Sequence, residues 1–321
     1  MAEAIDRIGV VRATRNLTPT IRLIEIEPTE GFVPPSPGSH IDFTVMVGDR
    51  PDVRSYSVVG PCADGVYRIA VKRLEASRGG SAYMWSLAPG SRLAHSAPGN
   101  HFGLALARPD YLLLAGGIGI TPIYSHALAL ARAGALFRLV YACRSRSDLA
   151  LAEELRDEIG DRLEIVVSEE SGRVDIAGEI ARLDADGELY VCGPIGMLEA
   201  ARQAWAATGR PMDRLRFETF GASGRWPAVP FTLKVPRLGK EIAVPATQSM
   251  LDALEAAGVE MIFDCRRGEC GLCALPILGV NGVVDHRDVF FTEEEKAENA
   301  RLCTCVSRVY GSEITLDTAD R

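Results

Sequence analysis

The run CRRGECGLC, from Cys265 to Cys273, constrains this chain more than any other stretch. Its cysteines are spaced C-x4-C-x2-C, and five of the chain's eight cysteines fall between Cys265 and Cys305. With a fourth cysteine further on, this is the plant-type arrangement for a 2Fe-2S cluster, with Cys265, Cys270 and Cys273 as three of the ligands. Iron takes soft thiolate ligands, and a tight loop can present three of them to one centre. Gly268 and Gly271 let the backbone turn where a Cβ would crowd the cluster. Backbone N–H groups in such a loop can bond the sulfurs and tune the potential. A structural zinc site fits less well, because zinc ligands usually come as CxxC pairs and only Cys270 and Cys273 form one. The fourth ligand is Cys303 or Cys305 in RLCTCVSR, with 29 or 31 residues between it and Cys273.

The totals frame that reading. A chain of 321 residues suggests two or three domains, each with its own core. Hydrophobic content of 47% and charged content of 24% are ordinary for a globular protein. A net charge of −8 argues against a nucleic-acid binder. No apolar run is long enough to span a bilayer, and MAEAIDRIGVVRATRN lacks the basic and apolar regions of a signal peptide. The expected location is the cytoplasm, where clustered thiols mean metal or catalysis rather than disulfides.

Three segments follow one another. Up to about residue 105, short runs such as TIRLIEIEP, HIDFTVMV and RSYSVVG alternate polar with apolar between Gly and Pro punctuation, which suggests an antiparallel barrel or sandwich. From Tyr111, strands such as YLLLAGG, FRLVYACR and ELYVCGP alternate with helical stretches, which reads as a parallel sheet with helices on both faces. Gly221 to Pro227 reads as a linker. Beyond Phe231, FTLKVPRLGKEIAVP reads as a hairpin, SMLDALEAAG as a helix and SEITLDT as the last strand. The expected boundaries are 1–106, 107–222, a linker at 223–230, and 231–321.

Two of these segments carry cofactor signals. In LLLAGGIGITPI, a strand runs through Gly116, Gly117, Ile118 and Gly119 into a helix start, letting a dinucleotide pyrophosphate approach. Pro122 stands where a third glycine would complete the usual fingerprint. VCGP, with Cys192, Gly193 and Pro194, ends a later strand, so both turns could face one cleft. Arg54, Ser55, Tyr56 and Ser57 (RSYS) combine a cation, a ring and two hydroxyls. Val71, Lys72 and Arg73 follow, then RGGS, whose Gly79, Gly80 and Ser81 could form a second phosphate cradle. His40, His95, His101, His126 and His286 are scattered and read as structural or solvent-facing.

Taken together and in this order, RSYS, VKR, RGGS, LLLAGGIGITPI, VCGP, FETFG, CRRGECGLC, VDHRD and CVSR resemble one family. It is the phthalate dioxygenase reductase and vanillate O-demethylase reductase family, within the ferredoxin–NADP reductase superfamily. The resemblance runs from about residue 54 to 308. It implies an antiparallel flavin β-barrel, an α/β NAD domain and an α+β plant-type ferredoxin domain, with FMN rather than FAD. It implies that Arg54 and the Gly79–Ser81 turn hold the FMN phosphate end. Tyr56 and Ser57 would line the flavin ring, with Ser57 near N5, and Thr121 and Phe220 would approach it. Cys192 would line the nicotinamide site, and CVSR favours Cys305 as the fourth cluster ligand.

A chain with these three sites turns a hydride donor into a source of single electrons. The family's acceptor is a separate Rieske-type non-haem iron oxygenase, and this chain has no C-x-H pair of the Rieske type itself. Monomer is the family expectation. Arg144 and Arg146 follow the strand FRLVYAC and lean towards a 2′-phosphate, whereas the family habit leans towards NADH, the expected donor over NADPH. Alternatives from other classes are a reductase for a cytochrome P450 or diiron hydroxylase, a non-catalytic redox sensor, and a plain electron carrier.

Overall fold

Alternating side chains in the first third build six antiparallel strands. They are β1 (Arg7–Asn16), β2 (Ile21–Pro28), β3 (His40–Val47), β4 (Arg50–Ser57), β5 (Tyr67–Lys72) and β6 (Arg92–His95). The computed structural model describes residues 4–74, 79–220, 224, 226–266 and 268–318. The strands lie in the order β4-β3-β6-β1-β2-β5, and a single bridge between Val58 and Ile69 ties the two outer strands together. The result is a nearly closed barrel. Ile24, Ile26, Ile41, Phe43, Tyr67 and Ile69 fill it. Each such side chain, fully buried, contributes roughly 1.5–3 kcal/mol. Helix α1 (Gly80–Ser86) packs against β3 and β5.

All six residues of β7 (Tyr111–Gly116) are buried, as its unbroken apolar run requires. It leads into α2 (Ile120–Arg132), β8 (Phe137–Cys143), α3 (Ala152–Ile159), β9 (Leu163–Val167), α4 (Ser168–Ser171) and α5 (Ile176–Ala181). β10 (Glu188–Cys192), α6 (Ile195–Ala207) and β11 (Leu215–Glu218) complete the layer. The sheet is parallel, in the order β11-β10-β7-β8-β9. Helix α3 starts four residues later than its pattern suggests. Residues 146–148 form a separate turn capped by Ser145, and Leu151 adopts φ 61°.

Buried polar bonds fix the barrel to this α/β layer. Ser125 on α2 donates to the Val58 carbonyl (2.9 Å) and accepts from the Gly60 N–H (3.0 Å). The next residue, His126, donates its Nε2–H to the Phe102 carbonyl (2.9 Å). Lys72 and Asp148 add an ion pair at 3.9 Å.

A second compact unit begins at Thr219. FTLKV and KEIAV do form a hairpin, β12 (Phe231–Val235) with β13 (Lys240–Val244). The turn between them passes through Gly239 at φ 58°. A reciprocal capping box between Ser249 and Asp252 starts α7 (Met250–Ala256). The long strand β14 (Ala274–Asp285), helix α8 (Glu293–Glu298), the short β15 (Arg301–Cys303) and β16 (Arg308–Leu316) follow. The sheet order is β13-β12-β16-β14-β15, and β12 and β16 run parallel. Leu278 on β14 and Ser312 on β16 are bulged out of the register. Among the described residues, no helix is long and apolar enough to cross a membrane.

Candidate functional site

The sequence-predicted flavin residues gather at the open edges of the barrel. RSYS is the end of β4 and VKR the end of β5, the two outer strands. Strand pleating puts Arg54 and Tyr56 on one face of β4, and Ser55 and Ser57 on the other. Ser57 is buried opposite His40, and Ser55 donates its hydroxyl to the buried Asp42 carboxylate. Burial pushes the Tyr56 phenol up, so the ring stays neutral at any physiological pH. The Arg54 guanidinium bonds Asp52 at 2.7 Å.

The Arg54 side chain also lies against Gly80, where an added Cβ would come within 2.7 Å of Nε. Gly79 takes φ 97°, and a Cβ there would press on Val47 at 2.9 Å. Gly79 is held to glycine by its positive φ and by Val47, and the missing Cβ of Gly80 leaves room for the Arg54 side chain. That fits a bulky anionic group beside Arg54. Arg78 of RGGS lies outside the described residues. VKR carries structural duties as well. The Val71 carbonyl accepts from the Trp85 indole (2.9 Å), Lys72 pairs with Asp148, and Arg73 stands over the Trp85 ring at 5.7 Å.

The two glycine turns of the α/β layer meet at the carboxyl ends of adjacent strands, β7 and β10. This is where the strand order reverses, with β8 and β9 to one side and β11 to the other, the usual place for a ligand in such a sheet. The turns touch backbone to backbone. A Cβ on Gly116 would sit 2.5 Å from Pro194 Cδ, one on Gly193 would sit 3.0 Å from Gly116 Cα, and one on Gly119 would run into the Cys192 carbonyl. Cys192 and Thr121 are buried there, and the Thr121 hydroxyl bonds back to the Ile118 carbonyl at 3.0 Å.

Arg144 and Arg146 follow β8, as expected, but each faces a carboxylate. Arg144 Nε bonds Glu169 at 3.1 Å, and Arg146 grips Glu170 with Nε and Nη2, both at 2.7 Å. The glutamates follow β9, and sequence reasoning passed over them because SEES resembles any polar turn.

In the second unit the cysteine loop is built as its glycines suggest. Gly268 and Gly271 have φ 76° and 72°. A Cβ on Gly268 would press on Val306 (2.6 Å) and Asp288 (2.9 Å), and one on Gly271 would enter the Phe290 ring. The N–H groups of Glu269 and Cys270 both point at Cys265 Sγ, at 3.4 Å. Those bonds suit a thiolate that carries charge. Cys273, Cys303 and Cys305 are buried together with Phe291 and Val306.

The two candidate fourth ligands differ in their neighbours. Cys305 precedes Val306, which packs against Gly268 of the loop, whereas Cys303 ends β15 in register with Ala274. Among the described residues, no three Cys, His, Asp or Glu side chains converge on a point that one ion could fill. A two-iron cluster makes a different demand, since its four thiolates are shared between two metals. The donor set fits that group.

Two further motifs hold the loop. Asp288 of VDHRD is fully buried and accepts from the Phe291 N–H (3.1 Å) and the Ser307 hydroxyl (3.0 Å). Arg308, the last residue of CVSR, donates to the carbonyls of Val229 (3.1 Å) and Pro245 (2.9 Å). Phe220 belongs to this unit too, and its neighbour Thr219 bonds Glu269 through N–H (3.4 Å) and hydroxyl (3.3 Å).

Residues 234–310 match the 2Fe-2S iron-sulfur cluster binding domain family, and residues 113–203 match the oxidoreductase NAD-binding domain family. The chain is 40% identical, over 96% of its length and 97% of the relative's, to the heme-dependent oxidative N-demethylase beta subunit of Ectopseudomonas mendocina (strain ymp). The solved structure of phthalate dioxygenase reductase, described as a modular structure for electron transfer from pyridine nucleotides to [2Fe-2S], superposes with a TM-score of 0.74. It is 29% identical, and the match covers 97% of each chain. The chain belongs to the phthalate dioxygenase reductase family.

A third likeness is to full-length CYP116B46 of Tepidiphilus thermophilus, at 35% identity and a TM-score of 0.65. That match covers 98% of this chain and 42% of the larger one, so the chain spans less than half of that protein. Other relatives are named as reductase subunits of monooxygenase systems. This member of the phthalate dioxygenase reductase family is thus an NAD-dependent flavin and iron–sulfur oxidoreductase. Its cofactor set is FMN, a 2Fe-2S cluster and NADH. When bound, the flavin supplies the exchange between a two-electron hydride and single electrons.

Proposed function

We propose that this protein is the cytoplasmic, monomeric reductase component of a two-component Rieske non-haem iron oxygenase. The observation that carries the reading is the coexistence, in one chain, of three sites of different chemistry. They are a barrel edge with an Arg54–Gly80 cradle, two glycine turns that meet at the strand-order reversal, and a three-cysteine loop whose Cys273 is buried with Cys303 and Cys305. In this reading Arg54, Gly79, Gly80 and Ser81 hold the FMN phosphate, while Tyr56 and Ser57 orient the ring. Thr121 borders the flavin. Gly116 to Gly119 with Gly193 and Pro194 receive the nucleotide, and Cys192 excludes water beside the nicotinamide. Cys265, Cys270, Cys273 and Cys305 hold the cluster, and the N–H groups aimed at Cys265 stabilise charge on its sulfur. Barrel and α/β layer are bound through Ser125 and His126, so the two binding edges keep a fixed spacing.

A second reading keeps the reductase and changes the acceptor to a haem protein. The relative named as a heme-dependent N-demethylase subunit favours it. Anaerobic stopped-flow mixing separates the two. The NADH-reduced protein is mixed with purified Rieske oxygenase components and, separately, with haem oxygenase components. Fast bleaching of a Rieske centre with slow haem reduction supports the first reading, and the reverse order supports the second.

A further inference from the structure

The arginines that follow β8 pose a problem of charge. Arg presents a planar fork that matches phosphate, and two of them at the carboxyl end of a nucleotide-binding strand form a natural clamp for a 2′-phosphate. Here both guanidinium groups already have carboxylate partners. Arg146 is gripped on two atoms by Glu170, and Arg144 is bonded through Nε to Glu169. The Glu169 N–H also donates to the Arg144 carbonyl at 3.1 Å, so the two loops are fastened by backbone as well as by side chains. Two positive and two negative groups leave this set with no net charge. Asp148, on the same loop as Arg146, has Lys72 as its partner at 3.9 Å.

We propose that Glu169 and Glu170 are the residues that set the preference for NADH over NADPH, by occupying Arg144 and Arg146 and repelling a 2′-phosphate. The inference rests on the nucleotide site described above. A 2′-phosphate would have to break two arginine–carboxylate contacts and then sit beside the displaced carboxylates. A ribose 2′-hydroxyl meets no such barrier, because it can donate a hydrogen bond to a carboxylate. The pairs are exposed, so each ion pair alone contributes little stability. Their effect is on ligand choice.

The test is calorimetric binding of ADP and of 2′,5′-ADP to the purified holoprotein and to Glu169→Gln/Glu170→Gln. The unmodified protein is expected to favour ADP. In the variant, the ratio of the two affinities is expected to shift towards 2′,5′-ADP by at least tenfold. Adding Arg144→Gln and Arg146→Gln to that variant is expected to remove the gain. An unchanged ratio in the double variant, with ADP still bound, overturns the inference alone, as does a gain that persists without the arginines. Failure of the unmodified protein to bind ADP at all removes the nucleotide site and this inference with it.

Discussion

At the scale of single residues, the sharpest question is which thiol closes the cluster. Cys303 and Cys305 are both buried. Cys305 precedes Val306, which packs on Gly268 of the cysteine loop, whereas Cys303 is tied into the β14–β15 ladder opposite Ala274. Cys305→Ser is therefore expected to purify with markedly reduced iron and sulfide, while Cys303→Ser keeps both near the unmodified level. Iron analysis and visible absorbance check this. Spacing could not separate these residues, because their distances from Cys273 differ by only two. The three loop cysteines were legible at once, since their spacing is itself the geometry. Ser57 is also testable here. Ser57→Ala is expected to slow flavin reduction by NADH about tenfold or more, with FMN content unchanged, as removal of an orienting hydrogen bond does. Single-turnover kinetics would show it.

At the scale of elements, the α/β layer rests on two glycine turns that only a missing Cβ allows to touch. Gly119→Ala is expected to lower stability by about 1–3 kcal/mol, a typical penalty for overpacking. It should weaken NADH binding as well, because the Cys192 carbonyl has to move. A denaturant melt paired with an NADH titration reads both. β7, β8, β9 and β10 were clear in the sequence because each is a mostly apolar run. The elements that escaped were those whose pattern is broken. β14 contains Pro276, Gly279 and Gly282 and carries a bulge at Leu278, so its period of two is lost. Helix α8 (EEEKAE) has no apolar stripe to betray it, and only its Thr292–Glu295 capping box marks its start. β6, β11 and β15 are four residues or fewer.

At the scale of the whole molecule, the resemblance of ordered motifs gave the architecture, but not the bonds that hold it. Ser125 and His126 read as ordinary helix residues, and only the fold shows them fastening α2 to the barrel. His126 gives this contact a pH signature. Burial pulls its imidazole down to about 4 from an ordinary 6.5, so it is neutral when folded. Between those values the unfolded chain binds the proton and the folded chain does not. Stability is thus whole above about pH 6.5 and falls as pH drops towards 4, by about 3 kcal/mol in all. Urea unfolding at pH 7 and pH 5 is expected to show a loss of roughly 2 kcal/mol from this group. His126→Gln should flatten that slope.

The central claim is that one chain converts a hydride into single electrons. Anaerobic titration of the purified protein with NADH, followed by visible absorbance, tests it most directly. One flavin and one 2Fe-2S cluster per chain are expected, both bleaching as NADH is added, with NADPH far less effective. A protein without flavin, or a cluster that stays oxidised while the flavin bleaches, would contradict it.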